Sequence, residues 1–291
     1  MWRIVVIESN AKLSYKLGYL IVRNTEEKRV HLDEISTLIV ESNQCVITTN
    51  LINECAIRNI NLIFCDAKHL PSVNCIGING NTSASKRLMN QINWSKNKKE
   101  LLWQIIIKQK IFNQASILAK YNKNEAYEKL ILYVDEVLMN DSTNREGFSA
   151  KVYFNALFGA GFDRRNEEIE PNGTLNYVYS MLLSLFSRYI SGYGYSNQLG
   201  IWHKNEYNFY NLACDLMEPF RMIVDDFVLT YKYKIEQKHH LHLFLKTEVK
   251  INGKNETIEN SIKTFIRICL NYLESNEHVT IPVIENYEFK D

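Results

Sequence analysis

The sequence has almost no net charge: its 34 Lys and Arg residues are balanced by 33 Asp and Glu residues, which gives a formal charge of +1 at pH 7. A near-neutral chain has no general attraction for nucleic acid, so DNA binding would need a local basic surface. None of the six cysteines forms a Cys-x-x-Cys pair, which leaves a zinc knuckle or a redox motif without support. No apolar run approaches transmembrane length. We therefore expect a soluble cytoplasmic protein with reduced cysteines and no membrane partner.

The spacing of apolar residues changes near residue 80. Before it, short apolar segments rich in β-branched residues alternate with polar turns, a pattern that predicts roughly seven strands. The clearest strand segments are RIVVIE, YLIVR, STLIVE, QCVITT, INLIFCD and SVNCIGI. One short helix fits between them at TTNLINECAIRN, with Thr49 or Asn50 as its N-terminal cap.

Beyond the small polar stretch NGNTSAS, residues 79 to 85, apolar residues recur at helical intervals. A last helix is predicted at roughly 257 to 275, after an NGK turn. The sequence therefore predicts an α+β protein of two domains. These are a mainly β domain at 1–80 with one short helix, a linker at 81–86, and an all-α domain at 87–291.

Three segments of the helical half combine acidic or imidazole side chains with Gly or Asn. They are NREGFSAKVYFNALFG at 144 to 159, GYGYSNQLGIWH at 192 to 203, and GIWHKNEYNFYNLACDLMEPFR at 200 to 221. Each has an ordinary interpretation as well. An acid such as Glu146 in the first turn of a helix is favoured by the helix dipole, and a lone histidine such as His203 is more often packed or on the surface than a ligand.

The third segment places two acids beside a proline. On a helical wheel, Asp215 and Glu218 lie roughly 60° apart, away from an apolar stripe. That stripe consists of Phe209, Leu212, Leu216, Phe220, Ile223 and Phe227. One interpretation of the acids is a solvated face of the helix.

Pro219 favours a different interpretation of this segment. A proline inside a helix clashes with the carbonyl four residues back, which belongs to Asp215, at a cost of ~3 kcal/mol. It also moves the preceding residue, Glu218, away from α geometry. Alternatively, a new helix begins with Pro219 at its first position. In either case the two acids lie at a discontinuity where side chains can converge on a ligand.

These segments, together with VVIESNAKLSYKLGYLIV and NGTLNYVYSMLLSLFSRY, resemble one family. It is the CRISPR-associated integrase and endonuclease of spacer acquisition, specifically its type II-A branch. The likeness extends along nearly the whole chain, and its most specific parts are N-R-E-G, L-G-x-x-H and D-L-M-E-P-F-R, in that order. Pro219 stands where the family often has a second acid, and Met222 stands where it often has proline.

The resemblance implies that Glu146, His203 and Glu218 are catalytic residues that hold a divalent metal. Asp215 would be an auxiliary ligand or would orient one. Two carboxylates and an imidazole suit Mg²⁺ or Mn²⁺. The implied reaction is phosphoryl transfer, in which the free 3′-hydroxyl of a captured DNA fragment attacks a phosphodiester in a CRISPR array. His203 could instead transfer a proton, and the sequence leaves both roles open.

The same resemblance implies a set of partners in a bacterial cytoplasm. The expected substrate is double-stranded DNA, both the captured fragment and the leader–repeat of the array. The family further implies a homodimer formed through the β domains, and a small second adaptation protein that bridges two dimers. The type II-A effector nuclease and a ring-shaped accessory protein are additional expected partners.

DNA contact requires cations, and several lie near the ligand motifs. Arg145, Lys204 and Arg221 adjoin these motifs and could hold phosphates, although each is also consistent with a solvated helix face. Further candidates are Arg164 with Arg165, Lys96 with Lys98 and Lys99, and Lys232 with Lys234. The stretch KHHLH at 238 to 242 is a weak metal motif, since only His239 and His242 share a side of a helix.

Two other functions are compatible with the same residues. One is a catalytically silent DNA-binding scaffold of the adaptation complex, in which a partner performs the chemistry. The other is an unrelated metal-dependent phosphodiesterase that acts on small molecules.

Overall fold

The computed structural model describes residues 3–67, 71–75, 77–78, 84–166, 168–231, 243–275 and 279–290. The chain divides into two compact units. The first consists of Met1–Met89 with Ser187–Ser196, and the second of Asn90–Phe186 with Asn197–Asp291. The β-rich N-terminal region and the helical C-terminal region confirm the predicted α+β class. The predicted linker at 81–86 lies partly outside the described residues, so the predicted domain limits stay a prediction.

The first unit contains two four-stranded sheets, of order β1-β5-β7-β8 and β4-β3-β2-β6. In the first sheet β1, β5 and β7 are parallel and β8 is antiparallel to β7. The strands are β1 (Arg3–Ile7), β2 (Lys12–Lys16), β3 (Tyr19–Arg23), β4 (Glu27–His31), β5 (Ile35–Val40), β6 (Val46–Ile47), β7 (Asn61–Cys65) and β8 (Pro71–Cys75).

All six strand segments predicted from the sequence are present, and two further strands, β2 and β4, were missed. Their sequences, KLSYK and EKRVH, are rich in charge because much of each strand is exposed to solvent. Helix α1 (Thr49–Ile57) lies where predicted, but the predicted cap was wrong. Oγ1 of Thr48, one residue earlier, accepts the hydrogen bond from the backbone N–H of Leu51.

The first unit has its own hydrophobic core. Leu13 and Leu20 from one sheet, Leu38 and Leu62 from the other, and Leu51 from α1 are fully buried in one cluster. The burial of apolar side chains from both sheets and the helix stabilises the unit by about 25 cal/mol for each Å² removed from water.

The second unit is mainly helical, as predicted. Its helices are α2 (Ala84–Ile92, which begins in the first unit), α3 (Lys96–Lys120), α4 (Asn124–Glu136), α5 (Arg145–Phe158), α6 (Asn172–Gly192, whose last turns belong to the first unit), α7 (Asn211–Met217), α8 (Arg221–Thr230) and α9 (Ile258–Glu274). Among the described residues, no helix has both the length and the apolar character needed to cross a membrane.

Helix α3 is buried on more than one face. Its apolar residues Trp103, Ile106 and Ile111 are fully inaccessible, yet Lys110 and Asn113 on the same helix are also buried. Polar groups removed from water require hydrogen-bond or charge partners. A buried polar patch in an otherwise apolar helix therefore marks a place where other segments supply those partners.

The C-terminal region also contains a small sheet, so the expectation of an all-α domain was wrong on this point. Antiparallel strands β9 (Glu248–Ile251), β10 (Lys254–Thr257) and β11 (Ile284–Glu288) pair in the order β10-β9-β11. The predicted NGK turn joins β9 to β10, with Asn252 and Gly253 both at positive φ, as a tight hairpin requires. The strands were missed because they are short and carry many charged and polar residues.

Candidate functional site

Two glutamates from separate helical segments meet at one lysine. Nζ of Lys110 lies 2.7 Å from Oε1 of Glu146 and 2.6 Å from Oε2 of Glu218. The side chains of Lys110 and Glu218 are only 10% and 4% exposed, so these ion pairs are shielded from water. On its other oxygen, Oε1, Glu218 accepts a hydrogen bond of 3.0 Å from Nη1 of Arg221. Two of the three predicted catalytic residues therefore share one cationic group.

The start of α5 fixes the position of Glu146. The backbone N–H groups of Arg145 and Glu146 donate to the carboxylate of Asp141, at 2.8 and 3.0 Å. Asn144 adopts a left-handed conformation with φ of 51°. A Cβ atom at Gly147 would lie 2.8 Å from Oδ1 of Asn144, so a larger residue in the N-R-E-G segment would displace the Asn144 amide.

Glu218 lies in a tight turn between two helices. Helix α7 ends at Met217, residues Glu218–Phe220 form a 3₁₀ turn, and α8 begins at Arg221. Pro219 occupies the first turn of this 3₁₀ segment, where a missing N–H is tolerated. The expectation that Pro219 moves Glu218 out of α geometry was wrong: Glu218 has φ of −52° and ψ of −42°. The tightened turn accommodates the proline, and its carbonyl oxygen accepts a hydrogen bond from Nδ2 of Asn113 at 2.9 Å.

Asp215 and Glu218 are not a solvated acidic face. They are 0% and 3% exposed, and this alternative is therefore excluded. Most of the apolar stripe is fully buried as predicted, but Phe209 is 53% exposed because it precedes the start of α7.

The carboxylate of Asp215 faces the loop at residues 200 to 203. Oδ2 accepts from the backbone N–H of Ile201 at 2.6 Å and of Trp202 at 3.0 Å, and Oδ1 accepts from that of His203 at 3.1 Å. A Cβ atom at Gly200 would lie 2.4 Å from the carbonyl oxygen of His203 and 2.7 Å from Oδ2 of Asp215. The L-G-x-x-H segment thus needs glycine because the loop closes tightly on this carboxylate.

Asp215 also orients His203. Nδ1 of the imidazole lies 2.5 Å from Oδ1 of Asp215, which leaves Nε2 as the ring nitrogen free to bind a ligand. The ring packs edge-on against Trp103, with 5.8 Å between centroids. A carboxylate that fixes one ring nitrogen while the other faces a ligand is the usual arrangement around metal-binding histidines.

The electrostatics connect His203 to both glutamates. The hydrogen bond to Asp215 raises the pKa of His203; burial opposes this, and the negative charges of Asp215, Glu218 and Glu146 reinforce it. Burial would raise the pKa of Glu218, but Arg221 and Lys110 lower it to about 2. Burial likewise opposes protonation of Lys110, yet Glu218 and Glu146 raise its pKa. The site is thus an acidic centre neutralised by cations of the chain itself.

Lys110, Asp141 and Asn113 were not predicted from the sequence as parts of the site. A signal for Lys110 was available, because in IIIKQKIF it lies three and four residues after Ile107 and Ile106, on the buried side of α3. No comparable signal marked Asp141, which acts through backbone groups.

A second buried network lies behind Arg221. Asp225 accepts hydrogen bonds from the hydroxyl groups of Tyr153, at 3.0 Å, and of Tyr179. The guanidinium groups of Arg221 and Arg164 lie over the Tyr179 ring, 4.4 and 5.2 Å from its centroid. Burial raises the pKa of Asp225 to about 6. This network holds Arg221 against Glu218.

The predicted DNA-binding cations differ in what they contact. Arg145 forms an ion pair of 2.9 Å with Glu136 and lies over the Tyr133 ring. Arg164 donates to the side chains of Asn172 and Asn176. These two guanidinium groups hold parts of the second unit together.

Other predicted cations are more open to solvent. Arg165 is exposed and lies 3.9 Å from Asp163. Lys99 and Lys204 line a groove of ≈ 560 Å³ beside His203, together with exposed Tyr207 and Phe209. Lys96 pairs with Glu100, and Lys98 donates to the carbonyl of Ser275. Lys232, Lys234, His239 and His242 lie outside the described residues.

The donors at the site match a divalent cation in kind, but a cation of the chain lies between them. Two carboxylates and an imidazole with a free Nε2 suit Mg²⁺ or Mn²⁺. Among the described residues, no three His, Cys, Asp or Glu side chains are arranged so that they hold a metal ion as they stand. Oε2 of Glu218 accepts no hydrogen bond of good geometry within the described residues, and its contact with Lys110 is an ion pair. It is therefore a buried acceptor that a cation could use.

The fold is shared with solved structures of a casposase and of a Cas1-containing complex. A structure of a casposase bound to integration product matches 94% of this chain and 91% of its own, with a TM-score of 0.75 and 18% identity. A Cas6-RT-Cas1–Cas2 complex matches 94% of this chain and 35% of its own, with a TM-score of 0.71 and 15% identity.

The chain belongs to the family of CRISPR associated protein Cas1, whose family model matches residues 4–259. A curated relative, the CRISPR-associated endonuclease Cas1 of Neisseria meningitidis serogroup C (strain 8013), is 35% identical over 77% of this chain and 74% of its own length. The family predicted from the three motifs is confirmed, and the type II-A branch stays a prediction.

Proposed function

We propose that this Cas1 protein is a metal-dependent DNA integrase and endonuclease that inserts captured DNA fragments into a CRISPR array. The observation that carries the proposal is the meeting of Glu146 and Glu218 at one buried cationic position, with His203 in the same electrostatic environment. The Neisseria relative is an endonuclease by name, and the casposase structure contains an integration product; both support the same reaction type.

In this proposal Glu146, Glu218 and Nε2 of His203 hold Mg²⁺ or Mn²⁺. Such an ion, when bound, neutralises charge on the phosphoryl group and stabilises the attacking or leaving oxygen. Asp215 keeps the imidazole oriented through Nδ1 and holds the loop that carries it. A protonated His203 could alternatively donate a proton to the leaving oxygen, and its raised pKa favours that form.

Residues beside the metal ligands would position the DNA. Arg221 contacts Glu218 with one nitrogen, is 33% exposed, and is braced by Tyr179, so it can hold a phosphate next to the site. The groove beside His203 offers Lys99 and Lys204 for phosphates, and Tyr207 and Phe209 for stacking against bases.

We further propose that the protein acts as a homodimer with double-stranded DNA and with the small adaptation protein that joins two dimers. The Cas6-RT-Cas1–Cas2 complex among the structural neighbours supports association with Cas2. The predicted type II-A effector nuclease and ring-shaped accessory protein remain proposals that follow from the family branch.

The test is a strand-transfer assay with purified protein, its small partner, Mn²⁺, a labelled DNA duplex and a leader–repeat plasmid. We expect the wild-type protein to join the duplex 3′ ends to the plasmid, and Glu146→Ala and His203→Ala to lose joining. Glu128→Gln, on the exposed face of α4, is the control and retains activity.

Three outcomes would contradict the proposal in different ways. Equal joining by wild type and both variants would show that Glu146 and His203 are not catalytic. Salt-sensitive DNA binding without joining would favour the silent scaffold. Activity confined to mononucleotide esters would favour a small-molecule phosphodiesterase.

A further inference from the structure

The position between Glu146 and Glu218 is already filled by an ammonium group. Nζ of Lys110 lies within 2.7 Å of an oxygen of each glutamate. Lys110 reaches this point from the buried face of α3, whereas most lysines keep their charge in water. The two glutamates therefore hold the lysine charge at this buried position.

A shared cation stabilises the two carboxylates in their ionised form. Like charges that approach closely in a shielded site disfavour each other's ionised form. Removing one partner from a buried ion pair leaves an uncompensated charge, which is strongly destabilising. Without a divalent ion, Lys110 supplies the cation that the two carboxylates share, while Arg221 pairs with the other oxygen of Glu218.

A divalent ion and the ammonium cannot occupy this position together. An ion bound to Oε1 of Glu146 and Oε2 of Glu218 would use the two oxygens that Lys110 contacts. The two cations would also repel each other across a few Å of shielded space. Metal binding through these two oxygens thus requires that the ammonium moves away from at least one glutamate.

From this geometry, and resting on the proposed metal-dependent function, we propose that Lys110 is a built-in counter-ion. It holds Glu146 and Glu218 together in the metal-free protein and is displaced when the divalent ion binds. Lys110 therefore lowers the affinity for the metal while it keeps the empty site folded.

The lysine is suited to such an exchange. Its compact ammonium sits on a flexible four-carbon chain that can change rotamer. The planar guanidinium of an arginine with two partners changes its position less readily. Glu146 is 25% exposed, against 4% for Glu218, so the side of the site at Glu146 is open enough for the ammonium to turn toward water.

The test measures Mn²⁺ binding to the full chain by titration calorimetry, and thermal unfolding with and without Mn²⁺. Lys110→Met removes the charge and keeps most of the length of the side chain. We expect it to bind Mn²⁺ about tenfold or more tightly than wild type, to unfold at a lower temperature in EDTA, and to gain more stability from Mn²⁺. Lys110→Arg keeps the charge and is expected to bind Mn²⁺ no more tightly than wild type.

Lys108→Met is the matched control. It removes the same charge two residues away on α3, from a lysine that makes no ion pair within the described residues. We expect its Mn²⁺ affinity to equal that of wild type. A lysine with a merely structural role would, when replaced, leave the Mn²⁺ affinity unchanged or weaken it, so an increase in affinity supports displacement.

The outcomes separate this inference from the proposed function. Equal or weaker binding by Lys110→Met, with wild type binding Mn²⁺, overturns the counter-ion role and leaves the metal site in place. No binding by either protein overturns the metal site and the counter-ion role with it. If Lys110→Met is unfolded in EDTA, recovery of its circular dichroism with Mn²⁺ supports the inference, and failure to recover overturns it.

Discussion

The buried carboxylates of Glu218 and Asp215 are stabilised by different kinds of partner. Both carboxylates are buried, and both need partners that replace water. Asp215 is bound by three backbone N–H groups and one imidazole, whereas Glu218 is bound by the side chains of Lys110 and Arg221. Backbone donors are fixed by the fold, and the flexible lysine side chain can be exchanged for another cation. We infer from this difference that Asp215 positions His203 and its loop, whereas Glu218 binds the proposed metal ion.

The largest expected effect is at Glu218. Glu218→Gln removes a charged oxygen from the proposed metal site, and we expect strand joining to fall by about 10²–10³-fold. Single-turnover joining at saturating Mn²⁺ and DNA measures it, with Glu128→Gln as the control. Joining within a few-fold of wild type would contradict the assignment of Glu218 as a ligand.

A smaller loss is expected at Asp215. Asp215→Asn keeps the shape and one acceptor oxygen but weakens the hold on His203, so we expect activity or Mn²⁺ affinity to fall by about 10- to 100-fold. The ratio of the joining activities of Asp215→Asn and Glu218→Gln tests whether the two carboxylates have different roles. If Asp215→Asn is as damaging as Glu218→Gln at saturating Mn²⁺, then Asp215 binds the metal itself, as the auxiliary-ligand prediction holds.

Gly200→Ala tests how rigid the loop around Asp215 is. The added Cβ would meet the carbonyl oxygen of His203 and Oδ2 of Asp215 at 2.4 and 2.7 Å. Forcing these groups apart should lower the free energy of unfolding by about 1–3 kcal/mol, as other overpacked sites do. Gly173→Ala is the control, because a Cβ there meets nothing within 4 Å. Equal denaturant midpoints for both variants would show that the loop yields easily.

The smallest expected effect is on the titration of His203 in the metal-free protein. Its pKa is raised by Asp215 first and by the glutamates less. We therefore expect Asp215→Asn to lower the pKa of His203 more than Glu218→Gln does, as measured by NMR of the imidazole C–H. Because the folded pKa is raised, the stability that the charged imidazole contributes is complete below the unfolded value of about 6.5. It is lost as the pH rises through the folded value. The reverse order of the two variants would contradict the assigned hydrogen bond.

Local pattern predicted much of the fold. Short segments rich in β-branched residues located β1, β3, β5, β6, β7 and β8, and helical spacing located the long helices. The charged and polar strands β2, β4, β9, β10 and β11 were missed, because pairing with neighbouring strands rather than their own composition makes them strands.

By itself, the sequence determined which residue types stand at the site and in what order. Glu146, His203 and Glu218, with Gly200 and Pro219 beside them, lie in short motifs whose local backbone requirements are visible without a structure. Only the tertiary structure decided which groups face them. Lys110 reaches Glu146 from 36 residues away, and Asn113 reaches the Pro219 carbonyl from 106 residues away. Periodicity reports on neighbours three or four residues apart along a helix. Contacts between residues so far apart in the sequence form only when the helices pack. That packing buries the acidic motif and places the ammonium of Lys110 between Glu146 and Glu218.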